Sequence, residues 1–236
     1  MRIMCLADSG FGKSTGIGKI PEIDFKGLNP KETFIISTAV RDLPFANADK
    51  DYKLTTPDKL GEGNRIITNN PEEIANTLIA LADERSPYKN VVWDDSNYVM
   101  QDYYMAHALQ GGWECPKKIG AFMAKIFSAL DAYKGTDRNI FVLAHKEDIP
   151  SGDGRIKAIM KTTGKMTAEF ITPEGKMDIL LIGKSKWDAA NKKVIKQYIT
   201  NEDEFYSSAK SPIGMLDLYV PNDLGYILEK IKEFKN

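Results

Sequence analysis

The stretch that most constrains this chain is ADSGFGKST, residues 7 to 15, which follows a short apolar run and contains Gly-Lys-Ser. A loop of this kind turns backbone N–H groups toward phosphate oxygens, places a lysine at the β and γ phosphates and offers a hydroxyl to Mg²⁺. The usual pattern begins with glycine where this chain has Ala7. A β-carbon is sterically acceptable at the end of an extended strand, so Ala7 does not disqualify the loop.

Each part of the loop has an expected role. Gly10 and Gly12 are expected to adopt positive φ angles. Lys13 is expected to neutralise phosphate charge and to begin a helix whose N-terminal dipole faces the anion. Ser14 stands at the metal position. The predicted nucleotide-binding residues are Asp8, Ser9, Gly10, Phe11, Gly12, Lys13, Ser14 and Thr15.

Two carboxylates end a later apolar stretch, NVVWDD, at residues 90 to 95. Mg²⁺ is held by one or two carboxylates together with phosphate oxygens, so this stretch predicts the second half of a metal site. Side chains alternate between the faces of a strand, and only one of Asp94 and Asp95 is therefore expected to point at the metal. Asp94 is favoured for the metal and Asp95 for positioning water, with the reverse assignment left open.

Another apolar stretch, NIFVLAHKED at 139 to 148, also ends in polar side chains. Ligands of open α/β sheets lie at this end of the strands, so His145 could sense the terminal phosphate. The alternative is a histidine that is simply hydrogen-bonded within the protein, and His107 is interpreted in that structural sense. The predicted catalytic residues are Lys13, Asp94, Asp95 and His145.

Strand and helix signals alternate through the first 148 residues, which predicts an α/β fold. Its central sheet is expected to be mostly parallel and flanked by helices, with antiparallel strands in the C-terminal third. The expected domain is single, 1 to 236, with a nucleotide-binding core at 1 to 148 and a β-rich extension with a closing helix at 149 to 236. The predicted elements are strands at 2–7, 32–39, 90–95 and 139–148, an irregular excursion at 40–70, a helix at 70–84 capped by Asn70, two helices within 97–133, and a closing helix at 222–234 capped by Asn222.

Composition limits the possible partners. The formal net charge of −1 over 236 residues argues against a uniformly basic surface for nucleic acid. No apolar run approaches the ~20 residues of a membrane span, and the first six residues are already assigned to a strand rather than a signal peptide. Two cysteines do not support a disulfide framework, so a reducing cytoplasm is the expected compartment, which is the host bacterial cytoplasm if the chain is encoded by a phage.

A local basic segment is the candidate contact for nucleic acid. The stretch GKSKWDAANKKVIKQYIT, 183 to 200, interleaves lysines with Trp187, and single-strand binding uses cations and aromatic faces together. Packing of Trp187 at a hairpin tip is the alternative. The predicted DNA-binding residues are Lys184, Lys186, Trp187, Lys192 and Lys193, with Trp113, Lys117 and Lys118 of GGWECPKK as a second candidate set.

Taken together, the motifs resemble a family. IMCLADSGFGKST, PKETFIIS, VVWDDSNYVM, FVLAHKED, MKTTGKMT and AKSPIGML occur in the order seen in bacteriophage ATPases with a minimal RecA-like core, which include phage single-strand annealing proteins. The resemblance spans residues 1 to about 225. It implies binding and hydrolysis of ATP with Mg²⁺, action on single-stranded DNA in annealing or strand exchange, a single-stranded DNA-binding protein as partner, and a homo-oligomeric ring or filament.

The resemblance also implies a role for the segment KTTGK. Lys161 and Lys165 fall within it, and oligomeric RecA-like ATPases often place a cationic side chain near the nucleotide of a neighbouring subunit. A surface hairpin is the alternative interpretation. One departure from the family is visible: the segment after the second strand, STAVRDLPF, offers Asp42 but no catalytic glutamate. Hydrolysis is therefore expected to be slow or to depend on Asp95.

Two other function classes remain open from the sequence. A nucleotide kinase shares the phosphate loop but needs a lid with several arginines, and no RxxxR cluster follows the sheet here. A nucleotide-dependent adaptor, such as a helicase loader, would bind nucleotide with little turnover. ATP hydrolysis measured with and without single-stranded DNA separates these classes.

Overall fold

A computed structural model describes residues 1–109, 113–163 and 172–236. Within those ranges the chain forms a nine-stranded sheet and five α-helices. The strands are β1 (Arg2–Ala7), β2 (Thr33–Ser37), β3 (Arg65–Ile67), β4 (Asn90–Asp94), β5 (Asn139–Pro150), β6 (Ile156–Met160), β7 (Ile179–Asp188), β8 (Lys193–Ile199) and β9 (Tyr219–Pro221). The helices are α1 (Ala48–Asp51), α2 (Pro71–Ala82), α3 (Tyr98–Ala106), α4 (Glu114–Ala129) and α5 (Leu224–Lys235).

The strand order is β3-β2-β4-β5-β1-β7-β8-β9, and β6 pairs with β5 outside this path. The six strands from β3 to β7 are mutually parallel, whereas β8 and β9 continue the sheet antiparallel. The predicted α/β architecture, with a mostly parallel sheet and antiparallel strands in the C-terminal third, is confirmed. β5 lies between β1 and β4, so the three polar strand ends singled out in the sequence are neighbours at one edge of the sheet.

Helices cover both faces of the sheet. On one face, α2 and α4 bury an apolar cluster that includes Leu78, Ile126 and Trp93. On the other face, α5 buries Ile227 and Ile231 against the inner strands. The central strands are apolar on both sides because both faces are covered, which is the usual condition of a parallel sheet.

The helix after the phosphate loop differs from the expectation. Residues Ser14–Ile17 form one turn of 3-10 helix rather than the start of an α-helix. Gly16 and Gly18 weaken helix propagation, and Pro21 follows shortly afterwards. A single turn adds little aligned dipole, so the expected contribution of a helix dipole at Lys13 is reduced.

Two further expectations are corrected. The excursion at 40–70 contains β3, a parallel edge strand of three residues that is too short to give a periodic pattern. The closing helix is capped by Asp223, whose side chain accepts a hydrogen bond from the backbone N–H of Gly225. Asn222 instead donates from Nδ2 to the carbonyl oxygen of Gly12 at 2.7 Å, which ties α5 to the phosphate loop. The cap of α2 at Asn70 is confirmed.

None of the helices among the described residues has the length and apolar character needed to cross a membrane.

Candidate functional site

The loop after β1 reverses direction at two glycines. Gly10 has φ of 77° and Gly12 has φ of 91°, so the predicted positive angles are confirmed. Phe11 lies between them and is buried, with its ring centroid 5.1 Å from that of Tyr198 on β8. Lys196 donates from Nζ to the carbonyl oxygen of Gly10 at 2.6 Å. The aromatic contact and the lysine hold the loop against the antiparallel end of the sheet.

Lys13 points back across the mouth of the loop. Its Nζ lies 3.2 Å from the carbonyl oxygen of Ala7, 3.3 Å from that of Asp8 and 3.3 Å from Nδ1 of His145. The residue is 6% exposed, and burial lowers the pKa of its ammonium group, while the charges of Asp95 and Asp94 oppose that change. The side chain is therefore a cation held at the point where the ends of β1 and β5 meet.

His145 is held by its backbone as well as by its ring. Its N–H donates to Oδ1 of Asn97 at 2.6 Å, and its ring lies edge-on to Tyr98 with 5.9 Å between centroids. Burial lowers the pKa of His145, and the charge of Lys13 lowers it further. A neutral ring that accepts from Lys13 at Nδ1 carries its proton on Nε2. In that tautomer the donor of the ring is Nε2–H.

Ser14 and Asp94 meet as expected for a shared metal position. The Ser14 hydroxyl donates to Oδ1 of Asp94 at 2.9 Å. Asp94 is 2% exposed, and its pKa is raised to about 6, first by burial and then by the charge of Asp95. Two neighbouring carboxylates thus create a site whose negative charge is poorly solvated and favours a cation.

Asp94 and Asp95 converge on the same cation, contrary to the expectation that they face opposite sides of the sheet. β4 ends at Asp94, and Asp95 adopts the left-handed φ of 58°, which ends the strand alternation at that residue. Arg41 Nη2 lies 2.6 Å from Oδ2 of Asp95 and 3.7 Å from Oδ2 of Asp94. Both carboxylates therefore belong to the site. The turn after β4, rather than the strand itself, sets the orientation of Asp95.

Arg41 is the site residue that sequence reasoning missed. Its Nη2 also donates to the hydroxyl of Ser14 at 2.8 Å. The segment STAVRDLPF contains both Arg41 and Asp42. Asp42 is exposed, whereas Arg41 reaches the carboxylates. A buried arginine, Arg65, donates to the carbonyl oxygen of Arg41 and to Oγ of Ser37 and so fixes the segment that carries Arg41. Only the pairing of β2 with β3 brings Arg65 there, so no local pattern could have indicated it.

These groups surround a cavity of about 300 Å³ at the carboxyl ends of the strands. The cavity is lined by Ser9, Gly10, Gly12, Lys13, Ser14, Thr15, Arg41, Pro44, Asp95, Tyr98, His145 and Lys196. Two lysines and an arginine face it beside the backbone of a turned glycine loop, which is the chemistry of an anion site. A chain of phosphates is an anion that also fits the neighbouring oxygen ligands.

The donor set fits Mg²⁺. The Ser14 hydroxyl and the Asp94 carboxylate offer oxygen ligands, as Mg²⁺ prefers. No group of three or more His, Cys, Asp or Glu side chains suited to a metal ion occurs in the described ranges. A cation held by one or two protein oxygens needs further ligands, which phosphate oxygens are suited to supply.

The described part of the KTTGK segment, Lys161 to Thr163, lies beside the site within the same chain. Lys161 donates its backbone N–H to the carbonyl oxygen of His145 at 2.8 Å, and its own carbonyl accepts from Asn97. A second cavity of about 300 Å³ lies between this segment and the loop, and Lys161, Tyr98 and His145 line it. Lys165 lies outside the described residues. A role of Lys161 and Lys165 in a neighbouring subunit stays a prediction. The structure shows Lys161 beside the site of its own chain.

The candidate DNA-binding segment is a hairpin of β7 and β8. Trp187 pairs with Val194, whereas Lys186 pairs with Ile195, so the tryptophan and the lysine project from opposite faces. Lys184 shares the face of Lys186 but its Nζ lies 3.8 Å from the ring centroid of Phe205 and 3.7 Å from Oδ2 of Asp203. Lys192, with φ of 49°, lies in the connecting turn and Lys193 begins β8. The aromatic and cationic candidates are therefore not one continuous surface.

The second candidate set begins α4. Trp113 precedes the helix and is 68% exposed, and Lys117 and Lys118 are exposed on its first turns. The structural interpretation of His107 is supported, because its ring stacks on Tyr103 with 4.1 Å between centroids and Nδ1 lies 2.8 Å from the carbonyl oxygen of Tyr103.

Comparison with known proteins assigns no family to this chain. No family model matches the sequence, and no curated protein matches it either. Among solved structures, the chain is similar to a KaiC-like protein from the hyperthermophilic archaeon Pyrococcus horikoshii. The alignment has 13% sequence identity and a TM-score of 0.43, and it covers 84% of this chain and 76% of that chain. Similarity at this level carries no argument about what this chain binds.

Proposed function

We propose that this protein is a Mg²⁺-dependent nucleoside triphosphatase, with ATP as its nucleotide, that acts on single-stranded DNA in phage recombination. The observation that carries the nucleotide part is the convergence of Lys13, Ser14, Asp95 and His145 around one cavity, with Asp94 hydrogen-bonded to Ser14 behind it. Such a set neutralises phosphate charge on one side and presents polar groups to the terminal phosphate on the other.

The residues divide the chemistry between them. Lys13 and the backbone of the loop hold the phosphates. Ser14 and Asp94 would hold Mg²⁺, which when bound offsets the charge on the phosphoryl oxygens. Asp95 and the Nε2 side of His145 lie at the terminal phosphate, where Asp95 orients a water molecule. The water oxygen then bonds to the γ-phosphorus as the bond to the β–γ bridging oxygen breaks, giving ADP and inorganic phosphate.

Turnover is expected to be slow without a partner. The segment after β2 carries no glutamate to activate water, and Asp95 is paired with Arg41 at 2.6 Å. The guanidinium of Arg41 occupies Oδ2 of Asp95, so that oxygen is engaged by a cation instead of accepting a hydrogen bond from water. Binding of DNA or of another subunit could alter this pair, which fits a DNA-stimulated enzyme.

The DNA part of the proposal is supported by the family resemblance and by exposed cations on the hairpin. Lys186 and Lys192 are exposed, as is the ring of Trp187, at 60%. Backbone cations give non-specific, salt-dependent binding, and an exposed indole offers a face for a base. Partnership with a single-stranded DNA-binding protein and assembly into a ring or filament belong to the same proposal.

The test is ATP hydrolysis by the full chain, with and without single-stranded DNA. We expect DNA-stimulated, Mg²⁺-dependent release of phosphate that is lost in Lys13→Ala and retained in the control Lys19→Ala, an exposed lysine outside the site. Transfer of phosphate to a nucleoside monophosphate would indicate the kinase alternative. Tight ATP binding with no turnover under either condition would indicate the adaptor or loader alternative.

A further inference from the structure

A guanidinium nitrogen lies among the oxygens that fit Mg²⁺. Nη2 of Arg41 is 2.8 Å from Oγ of Ser14 and 2.6 Å from Oδ2 of Asp95, and it lies 3.7 Å from Oδ2 of Asp94. The Ser14 hydroxyl donates its proton to Oδ1 of Asp94, so the contact with Arg41 occupies a lone pair of that hydroxyl oxygen. A metal ligand needs such a lone pair, and one nitrogen therefore engages the atoms that the metal position requires.

A divalent cation and this guanidinium exclude each other at that point. Mg²⁺ binds oxygen ligands at about 2.0–2.1 Å, so an ion held between Ser14 and Asp95 takes up the space in which the Arg41 nitrogen lies. The two groups also carry charge of the same sign, and like charges repel more strongly where solvent is excluded. Because Asp94 and Asp95 are buried, they are neutralised either by Arg41 or by a metal ion.

The side chain of Arg41 is placed to leave the carboxylates without a change of fold. It is half-exposed, whereas its backbone is held independently of the site. The Arg41 N–H donates to the carbonyl oxygen of Ala39 at 3.1 Å, and the Arg41 carbonyl accepts from the buried Arg65. Rotation about the side-chain bonds is therefore enough to withdraw the guanidinium. Arg41 also lines the cavity at the phosphate loop, where phosphate oxygens would accept charge-assisted hydrogen bonds from it.

We propose that Arg41 is an internal competitor of Mg²⁺. Its guanidinium holds Ser14, Asp94 and Asp95 until the metal–nucleotide complex binds, and binding displaces it toward the phosphates. Displacement also releases Oδ2 of Asp95, the carboxylate proposed to orient water, so Arg41 couples nucleotide binding to hydrolysis. Lys13 does not duplicate this contact, because its Nζ lies on carbonyl oxygens at the start of the phosphate loop. The nucleotide part of the inference rests on the proposed function, whereas the competition with metal does not.

The competition is tested by Mn²⁺ binding to the full chain without nucleotide. Mn²⁺ takes the same oxygen ligands, and the electron paramagnetic resonance signal of the free ion measures how much is bound. Arg41→Ala and, separately, Arg41→Gln remove the competing charge, and circular dichroism confirms that each variant is folded. Each is expected to tighten Mn²⁺ binding by about tenfold, because the metal no longer displaces a cation from buried carboxylates. Asp94→Asn added to Arg41→Ala should abolish the gain.

The displacement is tested by nitrogen NMR of the arginine side chains. The Nε–H resonance of Arg41, identified by its absence from the Arg41→Gln spectrum, should shift when MgATP binds to the native chain. An unchanged resonance with MgATP bound shows that the guanidinium stays on the carboxylates, and it overturns the displacement.

Controls keep the outcomes distinct. Arg85→Ala removes an exposed arginine that pairs with Asp83, and it should leave Mn²⁺ affinity unchanged. Equal Mn²⁺ affinity in the native chain and both Arg41 variants, including no measurable binding by any of them, overturns the competition. A gain that survives Asp94→Asn assigns Mn²⁺ to another place and overturns it as well. Calorimetric titration of the native chain with MgATP tests the proposed function separately. Absence of MgATP binding overturns that function, while the Mn²⁺ comparison still decides whether Arg41 competes with the metal.

Discussion

The Nη2 of Arg41 lies 2.6 Å from Oδ2 of Asp95 and 2.8 Å from Oγ of Ser14. One guanidinium nitrogen is thus shared between the carboxylates that end β4 and the hydroxyl that follows Lys13. The side chain of Arg41 is 49% exposed, whereas those of Asp94 and Asp95 are 2% and 5% exposed. Two adjacent buried carboxylates therefore depend on a cation that reaches them from the surface.

Loss of this cation should destabilise the protein. Arg41→Ala leaves Asp94 and Asp95 without their guanidinium partner, and we expect the free energy of unfolding in EDTA to fall by about 1–2 kcal/mol, less than for a fully buried pair because Arg41 is half-exposed. Denaturant unfolding measures the change. Arg85→Ala removes an exposed ion pair to Asp83 and is the control, with no measurable change expected. If the two substitutions lower the free energy of unfolding equally, the Arg41 ion pair contributes no more to stability than an exposed ion pair.

The raised pKa of Asp94 predicts how stability varies with pH. Burial and the charge of Asp95 raise its pKa to about 6 in the folded chain, against about 3.9 when unfolded. The folded state therefore binds more protons between these values, and the contribution of Asp94 to stability falls as pH rises from about 4 through 6. Asp94→Asn keeps an acceptor for Ser14 without the charge.

We expect Asp94→Asn to match the native chain near pH 4 and to be more stable by about 3 kcal/mol at pH 7 to 8. Urea unfolding in EDTA at a series of pH values measures the difference. A difference independent of pH would contradict the assignment of this titration to Asp94. The same substitution should weaken Mg²⁺-dependent nucleotide binding, so added stability and lost binding are expected together.

A glycine in the turn after the loop should tolerate no side chain. A β-carbon on Gly16 would lie 2.7 Å from the backbone oxygen of Asn222, at the start of α5. Gly16→Ala must therefore displace the closing helix or the phosphate loop, and we expect lower thermal stability together with weaker ATP binding. Differential scanning calorimetry and ATP titration measure the two effects.

Gly120 provides the matched control for that substitution. It lies within α4, and a β-carbon there meets no atom within 4 Å. Gly120→Ala should stabilise the protein by about 0.5–1 kcal/mol, because alanine loses less backbone entropy in a helix. Equal behaviour of the two alanine variants would contradict the close contact between Gly16 and Asn222.

The two faces of the β7–β8 hairpin should contribute differently to DNA binding. Lys186→Ala with Lys192→Ala removes exposed charges, so affinity for single-stranded DNA should fall and the slope of log affinity against log salt should decrease by about one to two. Trp187→Ala should weaken binding without changing that slope, since stacking releases no counterions. Fluorescence anisotropy at several salt concentrations measures both. The control is the double variant Lys50→Ala with Lys53→Ala, which removes two exposed lysines outside the hairpin. If this variant loses as much affinity for single-stranded DNA as the hairpin variant, the hairpin is not the interface.

The sequence by itself determined the parts of this protein that depend on local chemistry. The glycines of ADSGFGKST require positive φ, the apolar runs before Ala7, Asp94 and His145 require buried strands, and Asn70 with Pro71 starts a helix. Because parallel strands present their carboxyl ends at one edge, the pattern placed the polar tips at the same edge, whereas the strand order of the tertiary structure made them neighbours.

Tertiary structure alone decided which further groups complete the site. Arg41 reaches Asp95 because Arg65, on a three-residue edge strand, holds its carbonyl. Asp223 rather than Asn222 caps α5. Asn222 instead donates a hydrogen bond to Gly12, more than 200 residues away in sequence. Such contacts join segments that are distant in the sequence, and neither segment contains a pattern that identifies the other as its partner. Each residue would satisfy its local conformational preferences equally well in other arrangements of the chain.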